Sequence, residues 1–360
     1  MARTGGYRVS PAGRDGTGTD DSRMTEAGSP FRMMVSEAVA REHGSRIQAI
    51  GRERGRQIDL LPFPHVQDLD FEAAFLSKDL YGDPRPGALT ELARATYDHL
   101  LAAGAMKWLQ IAPAGLDMLP VCRPLLNRGV RLTTSSGALA EPIAVSAIGG
   151  LIAIARGFPR WIAAQARREW SPTPEREWPA DVNGQTAVVI GMGPIGLEIA
   201  RLGEALGLNV IAIRKDASRL PPHCSEVHGL SALPALAPRA NWLVVACPLN
   251  DETRGCVSRA VIASLPPRAG VVNIARGAVI DEPALIEALQ SGHLCGAYLD
   301  AFAREPLPAD SPLWAMPNVI VSAHTSGASL GNDGRRMKIF FDNVAAYIDG
   351  RPMRNEIQAA

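Results

Sequence analysis

AVVIGMGPIGLEIARLGEALGLNVIAIRK, residues 187–215, combines three kinds of local order in one run. Four apolar residues, Ala187 to Ile190, lead into Gly191, Gly193 and Gly196 at G-x-G-x-x-G spacing, and Ile195, Ile199, Leu202 and Leu206 then recur at helical intervals. The pattern reads as strand, turn and helix, stopped at Gly207 and followed by a second strand from Asn209 to Ile213. Each glycine has its own task. Gly191 allows a tight turn, Gly193 lacks the Cβ that would hold a pyrophosphate off the backbone, and Gly196 lets the helix lie close to the strand. Pro194 and Ile195 open that helix, whose first free amides face the phosphates. With 34 glycines in the chain the spacing alone could arise by chance, as an ordinary βα turn. The strand before it and the helix after it favour a ligand.

Working outward, 360 residues exceed one ordinary domain and fit two, and 46% hydrophobic residues give both a core. Lys plus Arg and Asp plus Glu each number 37, so no basic field points to nucleic acid. Five widely spaced cysteines, never C-x-x-C, argue against a disulfide framework and against a zinc site, and fit a reducing cytoplasm. The most apolar run, Pro142 to Ala155, is shorter than the ~20 residues of a bilayer span, and the start lacks a signal-peptide core. The expectation is a soluble protein with no metal, no membrane and no nucleic-acid partner.

Residues 1–30, rich in Gly, Ser, Thr, Asp and Arg, read as a disordered extension. Strands are then expected from Phe31, at Ile58 to Phe63, Ala73 to Ser77, Trp108 to Ala112 and Val130 to Thr133, with helices Ala38 to Arg52 and Leu89 to Ala103 between them. The loop Ala112 to Met118 follows a strand end, where amides at Ala114 and Gly115 could bind a substrate carboxylate; an empty structural turn is the competing reading. EPIAVSAIGGLIAIAR, residues 141–156, is apolar on nearly every side and so is expected to be a helix buried all round between two domains. Residues 164–185 read as a polar strap. Further strands are expected at Ser225 to His228, Trp242 to Cys247, Gly270 to Ile274, Gly296 to Phe302 and Val319 to His324, with a helix Asp281 to Gln290. A last helix, Arg335 to Asp349, places Met337, Phe340, Phe341, Val344 and Ile348 on one face that should pack back on the first domain. The expected fold is α/β: two doubly wound parallel-sheet domains with a cleft between. One is a flavodoxin-like substrate domain of residues 31–137 and 328–352, the other a Rossmann dinucleotide-binding domain of residues 138–327.

Three polar residues follow strands of the second domain: Arg276 in VNIARG, Glu305 in DAFAREPLP and His324 in VSAHTSG. Each alone could be a solvated surface group or scaffold. Together they fit the reduction of a 2-oxo acid by a nicotinamide, which needs a cation on the carboxylate and an acid on the carbonyl oxygen. Arg276 supplies the first and His324 the second, with Glu305 beside the imidazolium.

The chain resembles the D-isomer-specific 2-hydroxyacid dehydrogenases, which include glyoxylate/hydroxypyruvate reductases, from about Phe31 to Pro352. GMGPIG, ACPLNDET, VNIARGAVIDEPALIEAL, AYLDAFAREPLP and SAHTSG stand in that family's order. The resemblance implies that Arg276, Glu305 and His324 are catalytic and that Asp300 meets the nicotinamide carboxamide. It further implies cofactor contacts at Cys247, Pro248, Thr253 and Ile274, a small anionic 2-oxo or 2-hydroxy acid as substrate, and a homodimer formed through the nucleotide domains. One departure bears on the cofactor. An acidic residue that reads the ribose is expected about 20 residues beyond the fingerprint, and Arg214 stands there instead, followed by Lys215. NADPH is therefore favoured, with NAD possible. Two readings compete with an NADPH-dependent reductase: an NAD-linked D-2-hydroxyacid dehydrogenase working oxidatively, and a nucleotide-sensing interaction module like some transcriptional corepressors.

Overall fold

Most strands of this chain are short apolar runs buried on both faces, as parallel sheets covered by helices require. The computed structural model describes residues 30–82, 89–115, 119–175 and 178–357, so the expected disordered extension lies, apart from Pro30, outside the described residues. The first sheet contains β1 (Phe31–Ser36), β2 (Ile58–Phe63), β3 (Ala73–Leu76), β4 (Trp108–Ile111) and β5 (Arg131–Thr133). All its pairs are parallel and its order is β2-β1-β3-β4-β5, the doubly wound order of flavodoxin-like sheets. Its helices are α1 (Glu37–Arg52), α2 (Lys78–Tyr81), α3 (Glu91–Ala102) and α4 (Cys122–Asn127). Caps set the boundaries: the Ser36 hydroxyl accepts from the Val39 amide at 3.1 Å, and Thr90 accepts from Ala93 at 3.1 Å.

The second sheet holds β6 (Thr186–Ile190), β7 (Asn209–Ile213), β8 (Glu226–His228), β9 (Trp242–Val245), β10 (Gly270–Asn273), β11 (Gly296–Leu299) and β12 (Val319–Val321). Its order is β12-β11-β10-β9-β6-β7-β8, again all parallel. Strand order therefore reverses between β6 and β9, the switch point at which open parallel sheets bind ligands. Successive β6 residues feed opposite cores. Val188 and Ile190 face one, Ala187 and Val189 the other.

The helix α5 (Ala140–Arg156) covers the second of these cores through Ala144, Ala147, Ile148, Leu151 and Ile154. It lies so close that a Cβ on Gly150 would sit 2.3 Å from the Tyr298 ring. Expected to be buried all round, α5 is instead open on one side, where Val145 is 55% exposed. The reason is geometric: the sheet and α7 cover only part of the helix surface, and among the described residues none covers the side that carries Val145. The expected strap is also corrected at its start, because α6 (Phe158–Ala166) precedes it, continuing the open apolar surface with Phe158, Trp161 and Ile162. Gly157, at φ +76°, breaks α5 from α6. No single helix among the described residues is long and apolar enough to cross a membrane.

The helices α7 (Pro194–Ala205), α8 (Leu233–Leu236), α9 (Arg259–Ser264) and α10 (Glu282–Gln290) complete the second layer system, and α11 (Asn332–Ile348) returns to the first. There Phe340 stacks on Phe75 at 4.3 Å, and Tyr347 stacks on Phe31 and Trp108 at 5.4 and 5.0 Å. Beyond it, residues 353–357 come back to β5: Glu356 forms an antiparallel bridge with Thr133, and the Ile357 amide donates to Leu132 O at 2.8 Å.

The two passages of the chain between the sheets run side by side. Arg335 donates to Ala138 O at 2.7 Å, and the Ser146 hydroxyl donates to Ser326 O at 3.0 Å. A Cβ on Gly137 would meet the Pro194 ring at 3.4 Å, so the first passage brushes the fingerprint turn.

Candidate active site

The turn after β6 divides its labour among the glycines as their chemistry demands. Gly191 has φ +99°, and a Cβ there would lie 2.6 Å from Cys247 Cα; Gly196 would drive a Cβ to 1.9 Å from Gly191 O. These two positions are closed by protein. At Gly193 a Cβ would meet nothing within 4 Å, so that backbone alone faces open space. Gly193 is the N-cap of α7, Pro194 occupies its first turn without needing a donor, and the first bond inside the helix is Leu197 N to Gly193 O at 2.9 Å. The amides of Ile195 and Gly196 are left for an anion. This arrangement fits a dinucleotide pyrophosphate.

At the end of β7, the Arg214 amide donates to His228 O at 3.0 Å, and its side chain is half-buried. Lys215 is exposed, 3.7 Å from Glu252. Asp216, the one acid nearby in sequence, accepts from the Ser218 amide at 3.0 Å and hydroxyl at 2.6 Å. Those bonds hold its carboxyl below the usual range and turn it into its own loop. Across the switch point, Cys247 is buried and Pro248 follows it; the Thr253 hydroxyl donates to Pro248 O at 2.6 Å and fastens that loop. Ile274 is buried just past β10.

Strands β10, β11 and β12 are adjacent, so residues after them share one edge. His324 Nδ1 lies 2.9 Å from Glu305 Oε2, and Glu305 Oε1 accepts from the Phe302 amide at 3.0 Å. Both side chains are partly open, at 44% and 37% exposure. Arg276 is exposed and donates to its neighbour's carbonyl, Ala275 O, at 2.7 Å. Its loop is pressed on the glutamate's loop, since a Cβ on Gly277 would fall 1.8 Å from Phe302 C. The structure thus joins Glu305 to His324 directly and Arg276 to them through packed backbone.

Two residues beneath the site do more than their sequence suggested. Asp300, 2% exposed, takes hydrogen bonds on Oδ1 from the Ser322 hydroxyl at 2.7 Å and from the amides of Thr325 and Ser326 at 2.8 and 3.0 Å; the Ser326 hydroxyl bonds Oδ2. Its carboxylate holds the loop that carries His324. Asn273, fully buried, was missed. Its side-chain amide donates to Arg276 O and Ala301 O, both at 3.3 Å, and its carbonyl accepts from Ala275 N at 3.1 Å. An asparagine closing the otherwise apolar strand GVVN was the available signal. In the first sheet, Ala114 is exposed and Gly115 half-buried just past β4, beside the first passage through the bond from Ser135 N to Pro113 O at 3.1 Å. Leu116 to Met118 lie outside the described residues.

Sequence and fold are shared with known proteins. Residues 148–326 match the family model described as D-isomer specific 2-hydroxyacid dehydrogenase, NAD binding domain. Glyoxylate/hydroxypyruvate reductase B of Pectobacterium carotovorum is 32% identical over 288 residues, 74% of this chain and 88% of that protein. The chain belongs to the D-isomer specific 2-hydroxyacid dehydrogenase family. D-3-phosphoglycerate dehydrogenase of Methanocaldococcus jannaschii is 32% identical over 236 residues, 66% of this chain, which spans only 44% of that protein's length. Among solved structures, a D-isomer specific 2-hydroxyacid dehydrogenase from Xanthobacter autotrophicus, in complex with NADPH and MES, superposes with TM-score 0.69 at 26% identity, covering 92% of this chain and 98% of its own. As a 2-hydroxyacid dehydrogenase the chain is an NAD(P)-dependent oxidoreductase.

Proposed function

We propose that this chain is an NADPH-dependent reductase of small 2-oxo acids, of the glyoxylate/hydroxypyruvate type. The observation that carries the reading is the 2.9 Å bond between Glu305 and His324 Nδ1, at the sheet edge it shares with Arg276. With Nδ1 engaged, Nε2 is left to give a proton to the carbonyl oxygen, and the glutamate balances the charge of the imidazolium. Arg276 offers a planar fork to the substrate carboxylate, and the amides of Ala114 and Gly115 offer a second hold on it from the opposite sheet. The nicotinamide supplies the hydride. A nucleotide-sensing module would have no use for such an acid pair, which favours an enzyme.

Preference for NADPH is supported by Arg214, which stands half-buried where an acid would repel a 2′-phosphate, and by Asp216, whose carboxylate is already satisfied by Ser218. The open apolar face of α5 and α6, with Val145, Phe158, Trp161 and Ile162, supports a homodimer formed through the nucleotide-binding half. Free thiols at all five cysteines suit a reducing cytoplasm. The test follows absorbance of NADPH or NADH with glyoxylate, hydroxypyruvate and pyruvate. NADPH should give the higher kcat/KM, and Arg214→Asp should erase or reverse that preference; a wild type that favours NADH would overturn the cofactor reading.

A further inference from the structure

Among the described residues, the bonds that hold the Asp300 carboxylate come from two sources. The amides of Thr325 and Ser326 and the Ser326 hydroxyl belong to the loop being held, the one that carries His324. The Ser322 hydroxyl, 2.7 Å from Oδ1, has a different footing. Ser322 directly follows β12, and its amide donates to Leu299 O of β11 at 3.0 Å, so its backbone belongs to the sheet. Without that hydroxyl, the carboxylate and the His324 loop could turn together about the Asp300 side chain with their mutual bonds intact.

The Ser322 hydroxyl also lies 3.0 Å from the hydroxyl of Tyr298. It has one proton for two neighbours. A carboxylate only accepts, so that proton goes to Asp300, and Ser322 in turn accepts from Tyr298. Tyr298 can supply it. Its side chain is buried beneath α5, where a Cβ on Gly150 would press on the ring, and burial pushes its phenol above the ordinary value, so the proton stays on. The order Tyr298 to Ser322 to Asp300 is thus fixed, and hydrogen bonds aligned head to tail strengthen one another. Ser146 of α5, also within reach of the Tyr298 hydroxyl, donates to Ser326 O at 3.0 Å, so the His324 loop is held from a helix as well as from the sheet.

We infer that Ser322 is a positioning residue for proton transfer from His324, and that Tyr298 acts with it by committing the Ser322 proton to Asp300. The inference rests on the proposed function, in which His324 is the acid. A proton moves only along a short, aligned path, and a loop free to turn by a fraction of an ångström loses that alignment. Binding of substrate and cofactor, spread over many contacts, suffers less.

The experiment uses the full chain with NADPH and whichever of glyoxylate, hydroxypyruvate and pyruvate it reduces fastest. Ser322→Ala should slow NADPH oxidation in a single turnover about tenfold, the size of one hydrogen bond to a charged group, and change KM by a smaller factor. The solvent isotope effect on that rate should rise, because transfer of a misaligned proton becomes the slower part of the step. The amides of residues 325 and 326 should exchange with solvent faster. Ser322→Thr, which keeps a hydroxyl, should restore most of each readout. Tyr298→Phe keeps the ring and should move the same readouts in the same direction by less; it also tests the chain should Ser322→Ala fail to fold. A folded Ser322→Ala with wild-type rate and isotope effect would overturn the inference, and so would a lowered Tm accompanied by neither change. If the wild type reduces no 2-oxo acid, the proposed function fails, while amide exchange still decides: exchange at 325 and 326 unaltered by Ser322→Ala would mean that Ser322 holds nothing in place.

Discussion

His324 stands at φ +55°, in the left-handed region where a Cβ is crowded, and its loop is kept there by the bonds to the Asp300 carboxylate described above. Its ring is then fixed by Glu305. The two acids divide the work, one holding backbone and the other selecting which ring nitrogen is free. Replacing Glu305 by Gln removes the counter-charge and lets the amide present either a donor or an acceptor to Nδ1, so the ring loses its assigned tautomer. The expected result is a fall in kcat for reduction of about a hundredfold, within the range a positioned acid contributes. Binding of NADPH, followed by its fluorescence, should stay close to wild type. A variant with wild-type turnover would remove Glu305 from the reaction.

At the scale of elements, the returning tail is the least expected feature. Arg131 of β5 donates from Nε and Nη2 to Glu356 at 2.6 and 2.8 Å, alongside the Thr133–Glu356 bridge. Arg131 holds the Glu356 carboxyl below its ordinary value. A carboxyl depressed in the folded state stabilises it above the unfolded pKa, and that contribution is lost as pH falls through the folded value. Glu356→Gln should therefore cost about 1 kcal/mol of stability at pH 7 given a partly exposed pair, read as a lower Tm, and the gap to wild type should close on acidification below the carboxylate range. A gap that persists in acid would mean that packing, not the ion pair, holds the tail. Nothing in RNEIQAA announces this pairing, because one antiparallel bridge has no period to read. The long elements were legible for the opposite reason: strands buried on both faces are unbroken apolar runs, and Asp281 caps α10 at 3.0 Å where its sequence said it should. The helix α6 escaped notice although Gly157 and Pro159 mark its start, since its exposed tryptophan and isoleucine do not follow the pattern of a helix packed on its own core. In the site, the residues with distinctive chemistry stood out at strand ends. Asn273 and the bonds of Asp300 did not, because what they hold is backbone from other strands.

For the whole molecule, the seven-stranded sheet and the helices on it come from one uninterrupted stretch, whereas the five-stranded sheet needs α11 from far along the chain. The stretch from Ala138 to Gly327 carries both of its own cores complete. Expressed alone, it should fold and bind NADPH, and should turn over no 2-oxo acid because it lacks the opposite wall. A fragment that stays unfolded under conditions where the full chain folds would show that the two halves stabilise each other. The five-stranded half has no such independence. The buried bond from Asn343 to Gln110, at 2.8 Å, spans 233 positions, and Phe340 and Tyr347 close the aromatic face of Phe31, Phe75 and Trp108 from the same distant helix. On a ribosome adding about 5–20 residues each second, that face waits some tens of seconds for its cover. The half that is synthesised second is thus the one able to finish first, and the half begun first stays sticky until the last helix leaves the exit tunnel.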